Sequence, residues 1–166
     1  MPSVANLCAL HIGRKQISAC AAVSGGLIGL WPSFSKVTHS SLKLDGAFDL
    51  SEIFTWFKSF LEQLDAKIER MSISCFGPFE SLLLRNGDED RYGRIAFWQK
   101  EPPIGGENIL KAEKKFIPDS VFSSSSGGRP EPLLITDANA LALGEYFSRA
   151  TGGKIPFIGR GSDEGH

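Results

Sequence analysis

The sequence of 166 residues lacks the features that mark several classes of protein. Its 18 Lys and Arg are balanced by 19 Asp and Glu, so no excess of positive charge predicts binding to nucleic acid or to an anionic membrane. It has three cysteines and no C-x-x-C pair, which argues against a disulfide framework or a zinc site. That pattern favours a reducing, cytoplasmic location.

Long apolar runs are also missing. The most apolar stretch, residues 17–31, is shorter than the roughly 20 residues that cross a bilayer, and it contains Gly25, Gly26 and Gly29. A strand that ends in a turn at residues 24–26 explains this composition better than a signal peptide or anchor. We therefore expect no membrane partner.

What is present indicates one folded domain that begins with a β-hairpin. Hydrophobic residues make up 42% of the chain, with 12 Phe among them, which is enough for a single core. Two apolar runs, residues 7–12 and 17–23, flank a polar, glycine-containing segment at residues 13–16, as expected for a hairpin. A third run at residues 27–31 extends the hairpin into a meander.

The period of the apolar residues then changes from two to three and four. Residues 50–68 carry eight apolar side chains at these spacings, which predicts an amphipathic helix that ends near Arg70. Asp49 lies three residues before Glu52, the spacing of a reciprocal helix cap. Residues 71–76 follow as a buried strand, and this β-α-β order predicts an α/β fold with helices packed on a sheet.

The next segments are less regular. Residues 92–99 resemble a strand, and residues 107–116 resemble a short helix. A run rich in Ser and Gly at residues 123–130 predicts a flexible surface loop, because such composition cannot build a core.

A buried strand at residues 133–136 then delivers Asp137 and Asn139 to the first turn of a helix that reaches Ala150. We expect Ala140, Leu143 and Phe147 on one face of that helix. Ligands of open α/β sheets gather at the carboxyl ends of strands, so these two polar side chains lie where a pocket is expected. The alternative is that Asp137 only caps the helix, since Asp is a common capping residue.

These residues resemble a known motif. Residues 136–145 look like the N-D-A-N-A-A-A-L-G-E motif of the ROK family of sugar kinases, whose members also include repressors. Residues 72–80 are similar to the family's strand ending in G-P-V-D, and residues 92–95 resemble the Y-G-x-I of its fructokinase branch. The resemblance runs from about Leu7 to Gly159.

The resemblance implies an actin-like, or ribonuclease H-like, ATPase lobe with a mixed sheet. It also implies ATP-dependent phosphorylation of a hexose, with fructose indicated by the Y-G-x-I segment alone. Carried over by position, Asp137 would be the general base, and Asn139, Gly77 and Glu145 would bind the sugar. The pair Gly77-Pro78 also fits an ordinary turn.

On the nucleotide side, the resemblance implies Mg-ATP, with Gly13 and Lys15 in the first phosphate loop. The family's loop reads D-x-G-G-T-K, whereas this sequence has His11 in place of the acid and one glycine fewer. Phosphoryl transfer depends on positioning and charge stabilisation, so we expect weak activity or none. Lys15 also fits a merely solvated residue in a polar turn.

The carboxyl end departs from the family as well. We expect residues 1–159 to form an N-terminal lobe and residues 160–166 a polar tail, with no counterpart of the family's zinc motif or C-terminal lobe. Two alternatives therefore stay open beside a sugar kinase. One is a catalytically silent sugar-binding or regulatory homologue, a pseudoenzyme that pairs in a homodimer or heterodimer. The other is a truncated fragment without function.

Overall fold

A computed structural model describes residues 5–28, 31–45, 48–76, 93–95, 107–123 and 127–150. These ranges form a five-stranded mixed sheet and three α-helices. The strands are β1 (Ala5–Ile12), β2 (Gln16–Ile28), β3 (Trp31–Lys43), β4 (Arg70–Cys75) and β5 (Leu133–Thr136). The helices are α1 (Leu50–Glu62), α2 (Ile109–Phe116) and α3 (Asp137–Ala150).

The sheet has the strand order β3-β2-β1-β4-β5. The first three strands form an antiparallel meander, but its predicted third strand at residues 27–31 is wrong, because Leu27 and Ile28 end β2 and the third strand begins at Trp31 and continues to Lys43. Strands β1, β4 and β5 run parallel to one another. The turn between β1 and β2 is closed by a 2.9 Å hydrogen bond from the Gly13 amide to the Gln16 carbonyl. A Cβ on Gly13 would lie 2.7 Å from that carbonyl oxygen, so this turn requires glycine.

The second strand is longer than predicted. We expected a turn at residues 24–26, but β2 continues to Ile28 and stays paired with β3. The pairing register shifts between Ser24 and Leu27. A local irregularity of this kind accommodates glycines while the hydrogen-bonded ladder continues on either side.

Helix α1 packs on one face of the sheet. Its predicted capping box is confirmed, since the Asp49 carboxylate accepts from the Glu52 amide and the Glu52 side chain accepts from the Asp49 amide. The predicted end near Arg70 is wrong, because α1 ends at Glu62. Ile68 is nevertheless buried in the same core, which explains why its spacing continued the helical pattern beyond the helix.

The core joins α1, α2 and the face of the sheet that they cover. Alternate residues of the three central strands point into it, as period-two burial requires, and α1 supplies three phenylalanines. The buried side chains of these elements include Leu10, Ile12, Ile17, Ile53, Phe54, Phe57, Phe60, Ile73 and Ile109.

Helix α2 confirms the helix predicted at residues 107–116, beginning at Ile109 after an Asn108 cap. Gly93 lies against its start with a φ of +83°, and a Cβ there would be 2.9 Å from the Leu110 side chain. Of the strand predicted at residues 92–99, the described part is residues 93–95, where Arg94 forms a single bridge with Asn108.

The end of the predicted flexible loop is anchored by Arg129. Its guanidinium donates to the carbonyls of Ile117 and Glu113, to the Glu113 carboxylate and to the Asp119 carboxylate. It also lies 4.7 Å from the centre of the Phe122 ring. The segment that leads into β5 is therefore fixed to the end of α2.

The cysteines behave as small core residues, as predicted, except that Cys20 is only half-buried. Cys8 and Cys75 are buried, and none of the three forms a disulfide. Within the described ranges, no helix is both long and apolar enough to cross a membrane.

Candidate functional site

Three parallel strands end in register at one edge of the sheet. Ile12 of β1 pairs with Cys75 of β4, which pairs with Thr136 of β5. The residues that follow are therefore neighbours along this edge, with Gly13 after β1 and Asp137 after β5. We call this row of strand ends the carboxyl edge. It is the edge at which open α/β sheets bind ligands.

Asp137 lies at the carboxyl edge as the first residue of α3. The helix cap is filled by Thr136, whose hydroxyl accepts a hydrogen bond of 3.3 Å from the Asn139 amide. The Asp137 carboxylate instead accepts from the Ala138 amide at 2.7 Å. Thr136 and Asp137 thus both accept from amides of the first turn, and an acidic side chain there also suits the positive end of the helix dipole.

The other residues predicted for the sugar side are distributed unevenly. Asn139 is exposed in the same first turn as Asp137. Glu145 lies eight residues after Asp137 in α3, which is about 12 Å by helix rise. Its carboxylate is 3.7 Å from the Arg149 guanidinium. The structure thus does not bring Glu145 to the carboxyl edge. Gly77 lies outside the described residues.

A pair of side chains that the sequence did not reveal lies on the opposite face of the sheet from α1. His11 and Ser74 are direct partners in the β1–β4 register, and His11 Nδ1 is 2.8 Å from Ser74 Oγ. The two residues are 63 positions apart in the chain. Only the pairing of the strands brings them together, so no local motif could have indicated the contact.

Desolvation and the charge of Asp137 act on two side chains of the carboxyl edge, the exposed His11 and the buried Cys75. Desolvation by the surrounding protein lowers the pKa of His11, and the negative charge of Asp137 opposes that shift. Burial raises the pKa of Cys75 to about 12, and the charge of Asp137 adds to this effect. The Cys75 thiol consequently stays protonated and unreactive.

Basic side chains lie at the start of the β1–β2 turn. Arg14 and Lys15 are exposed, and the Arg14 guanidinium lies 5.9 Å from the centre of the Phe76 ring at the end of β4. Among the described residues, the edge thus presents an imidazole, a guanidinium and an ammonium group beside the carboxylate of Asp137.

The basic side chains beside the β1–β2 turn, His11, Arg14 and Lys15, do not fit a magnesium ion. Magnesium prefers oxygen ligands, and a carboxylate is its usual protein ligand. In the part of the chain that the structure describes, His, Cys, Asp and Glu side chains do not gather in threes that could hold a metal. His11 contributes nitrogen where the ROK-type motif has an acid, and the charges of Arg14 and Lys15 repel a cation.

Comparison with known proteins identifies the fold. No protein-family model matches the chain, and no curated protein is significantly similar to it. A ROK family protein from Streptococcus pneumoniae TIGR4, solved in complex with sucrose, is similar with a TM-score of 0.53 and 16% identity. A glucokinase from Balamuthia mandrillaris, solved in complex with glucose, is similar with a TM-score of 0.57 and 13% identity.

These similarities cover 87% and 91% of this chain, but only 39% of the ROK family protein and 34% of the glucokinase. The chain thus spans well under half of the length of these proteins. At the level of fold, the chain has the mixed sheet with helices of the actin-like ATPase lobe, as found in a ROK family protein and a glucokinase.

Proposed function

We propose that the chain carries the sugar-binding side of a fructokinase-like site of the ROK type. In this site the Asp137 carboxylate accepts a proton from a hexose hydroxyl, and the Asn139 amide hydrogen-bonds to neighbouring hydroxyls. Fructose is the proposed hexose, and ATP would be the phosphoryl donor of the reaction. Gly77 and Glu145 stay predictions for the same sugar.

The observation that carries the proposal is the position of Asp137 at the carboxyl edge. Thr136 fills the helix cap, and the half-buried Asp137 carboxylate lies directly after the end of β5. The first turn of α3 adds Asn139, which is exposed. A carboxylate and an amide in the same helical turn suit a polyhydroxylated ligand, because together they accept and donate hydrogen bonds.

The isolated chain is proposed to be weakly active or inactive as a kinase. Phosphoryl transfer needs charge stabilisation of the transferred group, usually by magnesium, and the donor set around His11 does not fit that ion. This observation favours a second candidate, a catalytically silent sugar-binding or regulatory protein located in the cytoplasm. Both candidates share the hexose site and differ only in turnover.

Two measurements test the proposal. Calorimetric titration with fructose, glucose and mannose should show binding that Asp137→Asn weakens. A carboxylate has two oxygens that can accept from hydroxyls, whereas an amide has one accepting oxygen and a nitrogen that only donates. The matched control is Asp65→Asn, the same change at an exposed residue of the α1–β4 connection. ADP release from ATP and fructose should stay near background.

Two results would contradict the proposal. Equal hexose binding by the Asp137→Asn and unmodified chains would remove Asp137 from the site. Rapid ADP release that Asp137→Asn abolishes would leave the sugar site intact but overturn the expectation of weak activity.

A further inference from the structure

Strand β3 forms one lateral side of the sheet. It is 13 residues long, and within the described ranges no strand pairs with its outer side. Its last six residues, Thr38–Lys43, pair with β2 in unbroken register, and we call them the β3 edge. An edge of this kind presents backbone donors and acceptors to which another strand can be added.

The pairing with β2 determines which backbone groups of the β3 edge point outward. The Leu44 amide donates to the Lys15 carbonyl at 2.8 Å, so these two residues form a hydrogen-bonded pair just beyond the end of β3. Hydrogen-bonded and non-hydrogen-bonded pairs alternate along an antiparallel ladder. The amides and carbonyls of His39, Ser41 and Lys43 therefore point away from β2. Their side chains share the face of the sheet opposite α1, because the residues between them pair with buried residues of β2.

A β-bulge limits the β3 edge at its amino-terminal end. The β2–β3 register shifts between Ala21 and Val23, and Lys36 in the bulged part of β3 has a φ of +49°. A bulge bends and twists an edge strand, which interrupts regular pairing beyond it. The β3 edge is therefore a site for a short extended segment, rather than for a long strand.

The charges along the β3 edge are positive. β3 contains Lys36 and Lys43 and no Asp or Glu, and the neighbouring β2 contains no charged residue. The first acid after β3, Asp45, lies two residues beyond its end. Lysines on an edge oppose pairing with a second copy of the same strand, because like charges then face each other. The same lysines attract a strand that carries acidic residues.

We propose that the β3 edge binds an extended segment of a partner protein that alternates acidic and apolar residues, by addition of one strand to the sheet. The outward amides and carbonyls form the ladder with this segment. Residues paired across a ladder share a face, so its acidic side chains lie beside His39 and Lys43. Its apolar side chains lie beside Leu42, which is 43% exposed. The proposal does not depend on the hexose site, because it uses none of the residues of that site.

The test is solution NMR with two synthetic peptides with blocked termini, T-E-V-E-V-E-V-T and the matched control T-K-V-K-V-K-V-T. The acidic peptide should bind saturably and slow amide hydrogen exchange at His39, Ser41 and Lys43, because these amides then donate to the peptide. Exchange at Ser40 and Leu42 should change less, since their amides already donate to β2. The basic peptide should bind at least about tenfold more weakly.

Charge variants test the recognition of acidic residues. Lys43→Glu should weaken binding of the acidic peptide by about twofold to thirtyfold, the effect of replacing an exposed ion pair by repulsion. It should also strengthen binding of the basic peptide. The matched control is Lys111→Glu, the same change at an exposed residue of α2, which should alter neither affinity.

A backbone variant tests the addition of a strand. Ser41→Pro removes one outward amide and should abolish the exchange protection by the acidic peptide. The ladder with β2 does not use that amide, so the variant should keep a cooperative thermal melt. If Ser41→Pro is unfolded, the two charge variants decide the question alone.

Each result supports or overturns the inference. Binding of neither peptide, equal binding of both, or equal weakening in Lys43→Glu and Lys111→Glu overturns it. Protection that appears in other parts of the chain instead of the β3 edge also overturns it. Sedimentation tests a second copy as the occupant, and a dimer that Ser41→Pro dissociates would contradict an acidic partner. A monomer whose β3 edge is protected by the acidic peptide supports the inference.

Discussion

The body of the lobe and the part that carries Asp137 are built in different ways. In the body, side chains from α1, α2 and the central strands are almost fully buried. The segment formed by β5 and α3 is more exposed, with Leu133 65%, Leu141 57%, Leu143 47% and Tyr146 60% exposed. We call this segment the β5–α3 unit. Its limited apolar burial indicates that packing against the body contributes less to its position.

Polar contacts compensate for part of this difference. Arg129 lies four residues before β5 and connects the β5–α3 unit to α2 through Glu113, which is 0% exposed. Burial raises the pKa of Glu113 even though the positive charge of Arg129 acts in the opposite direction. A buried carboxylate without its cation is costly, so this ion pair fixes the segment that leads into the unit, in addition to the backbone ladder between β5 and β4.

The largest effect is expected from breaking that attachment. Arg129→Met should lower the free energy of unfolding by about 3–5 kcal/mol, because it leaves the Glu113 carboxylate buried without its partner. The matched control is Arg149→Met, which removes an exposed pair with Glu145 worth about 0–1 kcal/mol. Urea denaturation measures both. Equal losses in the two variants would contradict the role given to Arg129.

The next comparison uses one substitution in both regions. Leu10→Ala should cost about 2–5 kcal/mol, since Leu10 is 1% exposed and its removal leaves a cavity. Leu141→Ala in α3 should change stability by less than about 0.5 kcal/mol, as expected for an exposed position. Urea denaturation of both variants is the measurement. A large loss in Leu141→Ala would show that another part of the protein covers α3.

The smallest effect is expected at the cap of α1. Asp49→Ala should cost about 1 kcal/mol, because it leaves the Glu52 amide without its acceptor. Hydrogen bonds from Ser51 and Glu52 lower the pKa of Asp49, so its stabilisation is complete above the pKa of an unfolded Asp. The stabilisation that the ionised Asp49 carboxylate contributes to the folded chain is lost as the pH falls through its lowered pKa. Denaturation at pH 7 and pH 2 should therefore show a larger difference between variant and unmodified chain at pH 7 than at pH 2.

Local sequence patterns predicted the presence of helices and strands better than the residues at which they begin and end. The β1–β2 hairpin, the α1 cap, β4, α2 and α3 follow from apolar period and capping residues, whereas β3 occupies a mostly polar segment that this pattern did not indicate. The end of α1 was missed because Leu64 and Ile68 continue its spacing while they pack from the connection. The extension of β2 was missed because its pairing with β3, rather than its own composition, carries the strand through Gly25 and Gly26.

The candidate site was predictable only in part, for a similar reason. Asp137 and Asn139 lie in one continuous motif after a strand, so the sequence indicated them together. The contact between His11 and Ser74 depends on the register of β1 and β4. The anchor at Arg129 was hidden because it lies beside a run of Ser and Gly whose composition predicts flexibility. Leu143, which we expected on one face of α3 with Ala140 and Phe147, is 47% exposed, and its exposure depends on how the helix packs against the sheet.

The central claim is that the carboxyl edge of a stably folded lobe binds a hexose through Asp137. The most direct test is thermal unfolding followed by near-UV circular dichroism, with and without a high concentration of fructose, for the unmodified chain and for Asp137→Asn. A ligand that binds the folded state raises its Tm by mass action. The account predicts one cooperative transition that fructose shifts upward in the unmodified chain and not in Asp137→Asn. A broad transition that fructose leaves unchanged, or an equal shift in both chains, would contradict it.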